Sequence, residues 1–315
     1  MIDKNNNNIH KKSVYDWWNS EYTKKWHNLK YDKKHIEYPH VVERLNKATE
    51  YIINLKPDKN SKILEFGFGG GQSSKKILDL GYDYTGVEIS KHMIQSAEGK
   101  CINFIKKNKA RFYHGSLDEK NPNLNYEGYD VVLICGALQY TNDINFALNE
   151  IYKLLNKDGY FIICQANMYA IHEFFGFRKF LKSTIRLMTN EKYLYSYSNS
   201  YKSLLLETRL NKFFKKYENS NFFKSKFMTK YENNWSYKIK KRLFSLSTLK
   251  KHLKFNGLNP IIDFGAPFLL FHQNRFINNL YIIIDSILNF MHKFLKFKFL
   301  INIADNVIIV SKKNV

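Results

Sequence analysis

From Ile63 to Ser74 the chain reads ILEFGFGGGQSS, an apolar run that breaks into four glycines within five residues and then turns polar. A strand that ends in such a loop lets the backbone turn sharply and lets a ligand lie directly on the peptide N–H groups at the start of the next helix. The following hundred or so residues keep the rhythm set by this opening. The runs KILEF, YTGVE, ARFYH, YDVVLIC and YFIICQ alternate with helical periods, which predicts a mostly parallel sheet with helices on both faces. Ser90 and Asp143 read as helix N-caps, and Ile144, Ala147, Leu148, Ile151 and Leu154 form the buried stripe of the helix after Asp143. Val41, Val42, Leu45, Ala48, Ile52 and Ile53 mark a further helix that precedes the first strand and is expected to pack on the sheet edge.

After Gln165 the alternation stops. Residues 168–242 show amphipathic helical pieces without a convincing strand, with Phe174, Phe177, Leu181, Ile185 and Met188 on one stripe and Leu206, Leu210, Phe213, Phe214 and Tyr217 on another. They are expected to form an inserted helical cap. The αβ pattern resumes in LSTLKKHLKFNGL and NPIIDF and closes with NVIIVS, so residues 243–315 complete the core begun at 61–167. An excursion at 266–300 contains a helix whose apolar face holds Leu280, Ile284, Ile287, Leu288, Met291 and Leu295; Asp285, His292, Lys293 and Lys296 interrupt it too often for a membrane span. Residues 1–60 carry the aromatic segment SVYDWWNSEYTKKW, read as a helical lid or as a helix stuck to the outside of the sheet.

Charge and cysteine usage bound the function classes. The net charge is +22, but residues 1–167 hold 24 basic against 20 acidic residues, whereas residues 178–254 alone hold 20 against 4. The basic excess therefore belongs to the insert. Cys101, Cys135 and Cys164 form no CxxC pair, which argues against a disulfide framework and a structural zinc site. The first residues, MIDKNNNNIHKK, lack the apolar segment of a signal or anchor, and the expected location is cytoplasmic, with the apolar stripe at 280–295 and its basic flank as a candidate for reversible contact with anionic membranes.

The glycine loop lacks the lysine of a phosphate-binding P-loop, and a dinucleotide GxGxxG begun at Gly67 and Gly69 meets Gln72 where the third glycine belongs. Registered as acidic-x-Gly-x-Gly-x-Gly, every position is filled: Glu65, Gly67, Gly69 and Gly71. With Glu88 at the tip of the next strand, the sequence resembles the class I S-adenosylmethionine-dependent methyltransferases, in particular the small-molecule type of quinone biosynthesis. The resemblance covers roughly residues 60–167, 243–265 and 304–313. It implies a Rossmann-like, doubly wound, seven-stranded sheet with its last strand antiparallel. It also implies S-adenosylmethionine as cofactor, no metal, and Glu88 as the acceptor of ribose hydroxyls with Ile89 beside it. HGSLD at 114–118 falls at the family's adenine position, with Ser116 where an aspartate is common; Ser116 and Leu117, or Asp118, are expected to serve there. Cys135, Gly136 and Ala137 should border the methionine end.

A sulfonium methyl needs no covalent catalyst, only a nucleophile held in line and, for a hydroxyl acceptor, a base. Tyr140, where the resemblance places histidine in many relatives, and His172 are the candidates. The plainer alternatives are an aromatic wall for Tyr140 and a surface position for His172. Cys135 reads as a small buried residue, not a nucleophile. Oxygen is the preferred acceptor atom; nitrogen and carbon stay open. The basic insert fits an anionic small substrate, an anionic membrane surface carrying a lipid-linked acceptor, a nucleic acid, or a merely solvated face. GALQY stands where base-amino methyltransferases carry NPPY or DPPY, and no Pro-Cys pair is present, so nucleic acid (RNA) ranks below a small or lipid-linked metabolite. A non-catalytic cofactor-binding subunit is the remaining alternative.

Overall fold

The computed structural model describes residues 4–35, 37–56, 58–167, 193–197, 200–205, 238–242, 244–265, 275–295 and 298–314. In chain order the elements are α1 (Lys4–Trp18), α2 (Glu21–Lys30), α3 (Tyr38–Leu55), β1 (Lys62–Phe66), α4 (Gln72–Asp79), β2 (Asp83–Glu88), α5 (Lys91–Lys106), β3 (Ala110–His114), β4 (Tyr129–Cys135), α6 (Ile144–Leu154) and β5 (Leu155–Ala166). After them come β6 (Tyr193–Tyr197), β7 (Ser200–Leu205), β8 (Lys238–Arg242), α7 (Leu246–Phe255), β9 (Leu258–Gly265), α8 (Arg275–Phe294) and β10 (Asn306–Lys313).

Seven strands form one sheet in the order β3-β2-β1-β4-β5-β10-β9. The strands from β1 to β5 pair in parallel, while β10 runs antiparallel to both β5 and β9. The order reverses between β1 and β4, and it is at such a switch point, beyond the carboxyl ends of the strands, that ligands bind open sheets of this kind. The expected Rossmann-like architecture with a late antiparallel strand is therefore the one observed.

Both faces of the sheet are covered, as the uninterrupted apolar runs of β1 and β4 require. On one side Leu64, Val132, Ile134, Phe161 and Ile163 pack against α6 and α7; on the other Ile63, Val131, Leu133, Ile162 and Ile308 pack against Ile52 of α3, Ile77 of α4 and Ala97 of α5. The capping residues read from the sequence act as such. Ser90 Oγ accepts from Met93 N, and Asp143 accepts from Asn145 N and Phe146 N.

Within 168–242 the described residues are strands, not helix. β6 lies between β7 and β8 in an antiparallel three-stranded sheet. Three of the five residues of YLYSY are tyrosine, a residue that favours strands. The two stripes at 174–188 and 206–217 lie outside the described residues.

The excursion helix α8 turns a polar side to the core. Its polar residues Asp285 and Asn289 face inward onto Glu43 of α3, with Asn289 Nδ2 donating to Glu43 Oε1 and to Asp285 Oδ2, each at 3.1 Å. Leu288 and Met291 pack on Leu300 and Ala304, while Leu280 and Ile287 point outward. Among the described residues no helix is long and apolar enough to cross a membrane.

Candidate active site

β1 ends at Phe66, and the chain passes from Gly67 to Gly71, the N-cap of α4. Gly67 adopts φ +74° and donates its N–H to the Val87 carbonyl at 2.8 Å. A Cβ at Gly67 would lie 2.5 Å from that of Ala137, so the loop sits directly on the turn that follows β4. At Gly69, where φ is +58°, a Cβ would lie 2.5 Å from His27 Nε2. Only a residue without a side chain fits either place.

Glu88, the last residue of β2, is 6% exposed. Its Oε2 accepts from Gly69 N and its Oε1 from Ser90 N, both at 3.0 Å. Burial raises its proton affinity, and the N–H groups of Gly69, Ser90 and Ile89 act against that rise. The two features singled out in the sequence, bare loop and acidic strand tip, are thus in direct contact. Each carboxylate oxygen keeps acceptor capacity for a further donor.

Glu65 is enclosed. It accepts from Tyr84 Oη at 2.7 Å, Tyr84 in turn accepts from Ser74 Oγ at 2.8 Å, and burial pushes the Glu65 carboxyl up to about 7. Ser116 and Leu117 follow β3 as expected; Leu117 packs on the core, and Ser116 Oγ accepts from Asp118 N at 3.3 Å. Asp118, expected as a substitute adenine contact, accepts from Asn142 N at 2.7 Å and ties this loop to the β4 turn. The Ile89 carbonyl lies 3.1 Å from His114 Nε2. At the tip of β4, Cys135 pairs in register with Cys164, and Gly136 N donates to the Cys164 carbonyl at 2.8 Å. The Cys164 thiol and then burial hold the Cys135 thiol well above its usual range, against any nucleophilic role. Tyr140 sits in the one-turn helix Leu138–Tyr140, its ring edge-on to Trp18 with centroids 5.9 Å apart. His172 lies outside the described residues.

The N-terminal helices lie across this rim. Ser90 Oγ donates to the Trp18 carbonyl at 2.8 Å, and Lys91 N donates to Asn19 Oδ1 at 3.0 Å. The link between α1 and α2 is thereby fastened next to Glu88. α2 lays the His27 ring on Gly69 and Gly70. His27 is 5% exposed and its Nδ1 has no hydrogen-bond partner. Burial, and after it Lys30, Lys100 and Arg44, pushes its pKa down to about 2. From α3, Arg44 Nη1 comes within 3.6 Å of the position a Gly136 Cβ would take. Burial works against the Arg44 charge, but Cys164, Cys135, Tyr31 and Asp305 outweigh it and hold the guanidinium protonated. Gln72 Oε1 and Gln165 Oε1, at the ends of the glycine loop and of β5, are also buried without partners. His27 and Arg44 were not singled out in the sequence, because both reach the site from helices that precede the first strand. The nearest signal was the aromatic segment that carries α2.

Burial of His27 makes stability depend on pH. The unfolded imidazole titrates at its ordinary value of 6.5 and the folded one at about 2, so between these values the unfolded state binds more protons and stability falls as pH falls. His27→Gln removes this dependence. Denaturant unfolding at about pH 7 and about pH 5 should show the wild type losing up to about 1.4 kcal/mol per pH unit more than the variant below the unfolded pKa. Equal slopes would mean that His27 is not held neutral on the loop.

A family model described as a methyltransferase domain matches residues 64–161, from the glycine strand to β5. A ubiquinone biosynthesis O-methyltransferase of Pelagibacter ubique is 30% identical over 174 residues, covering 51% of this chain and 67% of the relative. A protein of the same description from Bartonella tribocorum is 27% identical over 115 residues, covering 36% of this chain and 45% of its own length. Among solved structures, the magnesium protoporphyrin IX methyltransferase of Synechocystis PCC 6803 with bound SAH shares the fold, with a TM-score of 0.54 and 13% identity over 96% of this chain and 100% of that one. The rim suits such a cofactor: Glu88 offers acceptors at one end, the fixed cation Arg44 stands at the other, and His27 Nδ1 and Gln165 Oε1 are buried polar atoms still lacking partners. Geometry and relatives agree that this chain belongs to the class I S-adenosylmethionine-dependent methyltransferases, with S-adenosylmethionine as its cofactor.

Proposed function

We propose that the enzyme methylates a hydroxyl of a small or lipid-linked metabolite. The observation that carries the reading is the contact of Glu88 with Gly69 N, joined through the Gly67–Ala137 contact to the β4 turn, whose Tyr140 meets the Trp18 ring. When bound, S-adenosylmethionine supplies an electrophilic methyl on a good leaving group. Glu88 would accept the ribose hydroxyls, and Ser116 and Leu117 would border the base. Arg44 would hold the methionine carboxylate beside Gly136, with the neutral His27 ring closing the loop side. Tyr140 and Trp18 would wall the acceptor, with Tyr140 Oη hydrogen-bonding its hydroxyl and holding it toward the methyl, and His172 taking the proton that hydroxyl releases. The relative that matches over two thirds of its length is named for O-methylation in ubiquinone biosynthesis, which supports oxygen as the acceptor atom.

The test is transfer of labelled methyl from S-adenosylmethionine into the RNA, protein and organic-soluble fractions of a cell extract. Label is expected in the organic-soluble fraction as an ether. For the acceptor so identified, Tyr140→Phe should lower kcat about tenfold, with KM little changed. The effect is modest because Tyr140 positions the hydroxyl and the leaving group needs no proton. Label confined to RNA or protein would overturn the proposal.

A further inference from the structure

One surface of the molecule is not used by methyl transfer. β9 and β5 both run antiparallel to β10 and so point the same way. Hence β9 ends, and β10 begins, at the rim that carries Gly67 and Gly136, and α8 occupies the connection between them. The inner side of α8 is polar: Asp285 is 5% exposed, and Glu43, facing it, is pushed up to about 8 by burial and by Asp285. His292 lies edge-on to Phe264 at 5.1 Å. These contacts fix the helix about its axis and leave its apolar residues outside. Leu280, Ile283, Ile287 and Phe290, spaced three, four and three apart, are 47%, 58%, 53% and 53% exposed. A helix ordinarily buries such a stripe.

Charge selects what covers it. Between residues 264 and 304 the single acidic residue is Asp285, which is turned inward, whereas Arg275, Lys293, Lys296 and Lys298 are basic. A second copy would bring together two chains of net charge +22 with no outward carboxylate in this stretch to offset them. An anionic bilayer complements both features at once, because its headgroups attract a chain of net charge +22 and its acyl boundary takes the apolar stripe. We propose that the outer face of α8 docks on the surface of an anionic lipid bilayer, with Leu280, Ile283, Ile287 and Phe290 lying at the headgroup boundary and the active-site rim held beside the membrane. The proposal is independent of methyl transfer.

The full-length protein is tested by co-sedimentation with phosphatidylcholine vesicles containing roughly one-third phosphatidylglycerol, and with pure phosphatidylcholine vesicles. Binding is expected to the first and to be weak on the second. Ile283→Glu with Phe290→Glu should weaken partitioning roughly tenfold or more, and Leu280→Gln with Ile287→Gln should weaken it less. All four positions are exposed, so S-adenosylmethionine affinity and the thermal midpoint should not change. Absence of binding would overturn the proposal, as would binding that both variants retain, which would assign it to the basic insert. So would a wild-type dimer that the variants convert to monomer, since a second copy would then be the occupant.

Discussion

Replacing Glu88 by Gln is expected to weaken S-adenosylmethionine binding by about 30- to 1,000-fold, a loss of about 2–4 kcal/mol, with little loss of fold. Hydrogen bonds to an ionised acceptor contribute roughly 1.5–3 kcal/mol each, and the amide keeps only one oxygen to share among Gly69 N, Ser90 N and the ribose. Stability responds differently. Burial disfavours the Glu88 charge, so a neutral residue of the same length removes a desolvation cost while it loses one backbone partner, and the two effects offset. Glu88→Asp keeps the charge at shorter reach and should fall between. Calorimetric titration reads the affinity, and denaturant unfolding of the same samples reads the fold. Unchanged affinity in Glu88→Gln would remove the ribose role. A parallel loss of unfolding midpoint would make Glu88 a structural residue of the loop.

What could be read from the sequence was whatever has a local cause. The glycine loop, Glu88 and the caps Ser90 and Asp143 announce themselves because a strand end, a tight turn and a helix start each demand particular residue types within a few positions. The alternation of strands and helices likewise pointed to a parallel sheet. His27, Tyr31 and Arg44 gave no such sign. Each reaches the site only through the packing of α2 and α3 over the rim, and a lone histidine in a helix has no pattern that says it will lie on two glycines. The same limit governs α8. Apolar periodicity marked a helix there, but its outward face is set by Asp285 and Asn289 meeting Glu43, a contact across more than two hundred residues of chain. Asp118 shows the converse: its place after β3 was legible, but its partner Asn142 was not.

Gly67→Ala is expected to cost roughly 2–5 kcal/mol of stability and to weaken cofactor binding strongly, for two separable reasons. The residue holds φ at +74°, and placing an L side chain in that region costs about 1–2 kcal/mol. The added methyl would also stand 2.5 Å from the Ala137 Cβ, and relieving such an overlap in a packed site costs roughly 1–3 kcal/mol more. Ala137→Gly separates the two. In the double variant the overlap is gone and the backbone strain stays, so the pair should recover the steric part of the loss but not the conformational part, a coupling of roughly 1–3 kcal/mol in a double-mutant cycle. Additive effects would mean that the β1 loop and the β4 turn do not touch. Their contact joins the loop that Glu88 holds to the turn that carries Tyr140, so the coupling measured in unfolding should reappear in S-adenosylmethionine affinity: weak in Gly67→Ala, partly restored when Ala137 is also made glycine.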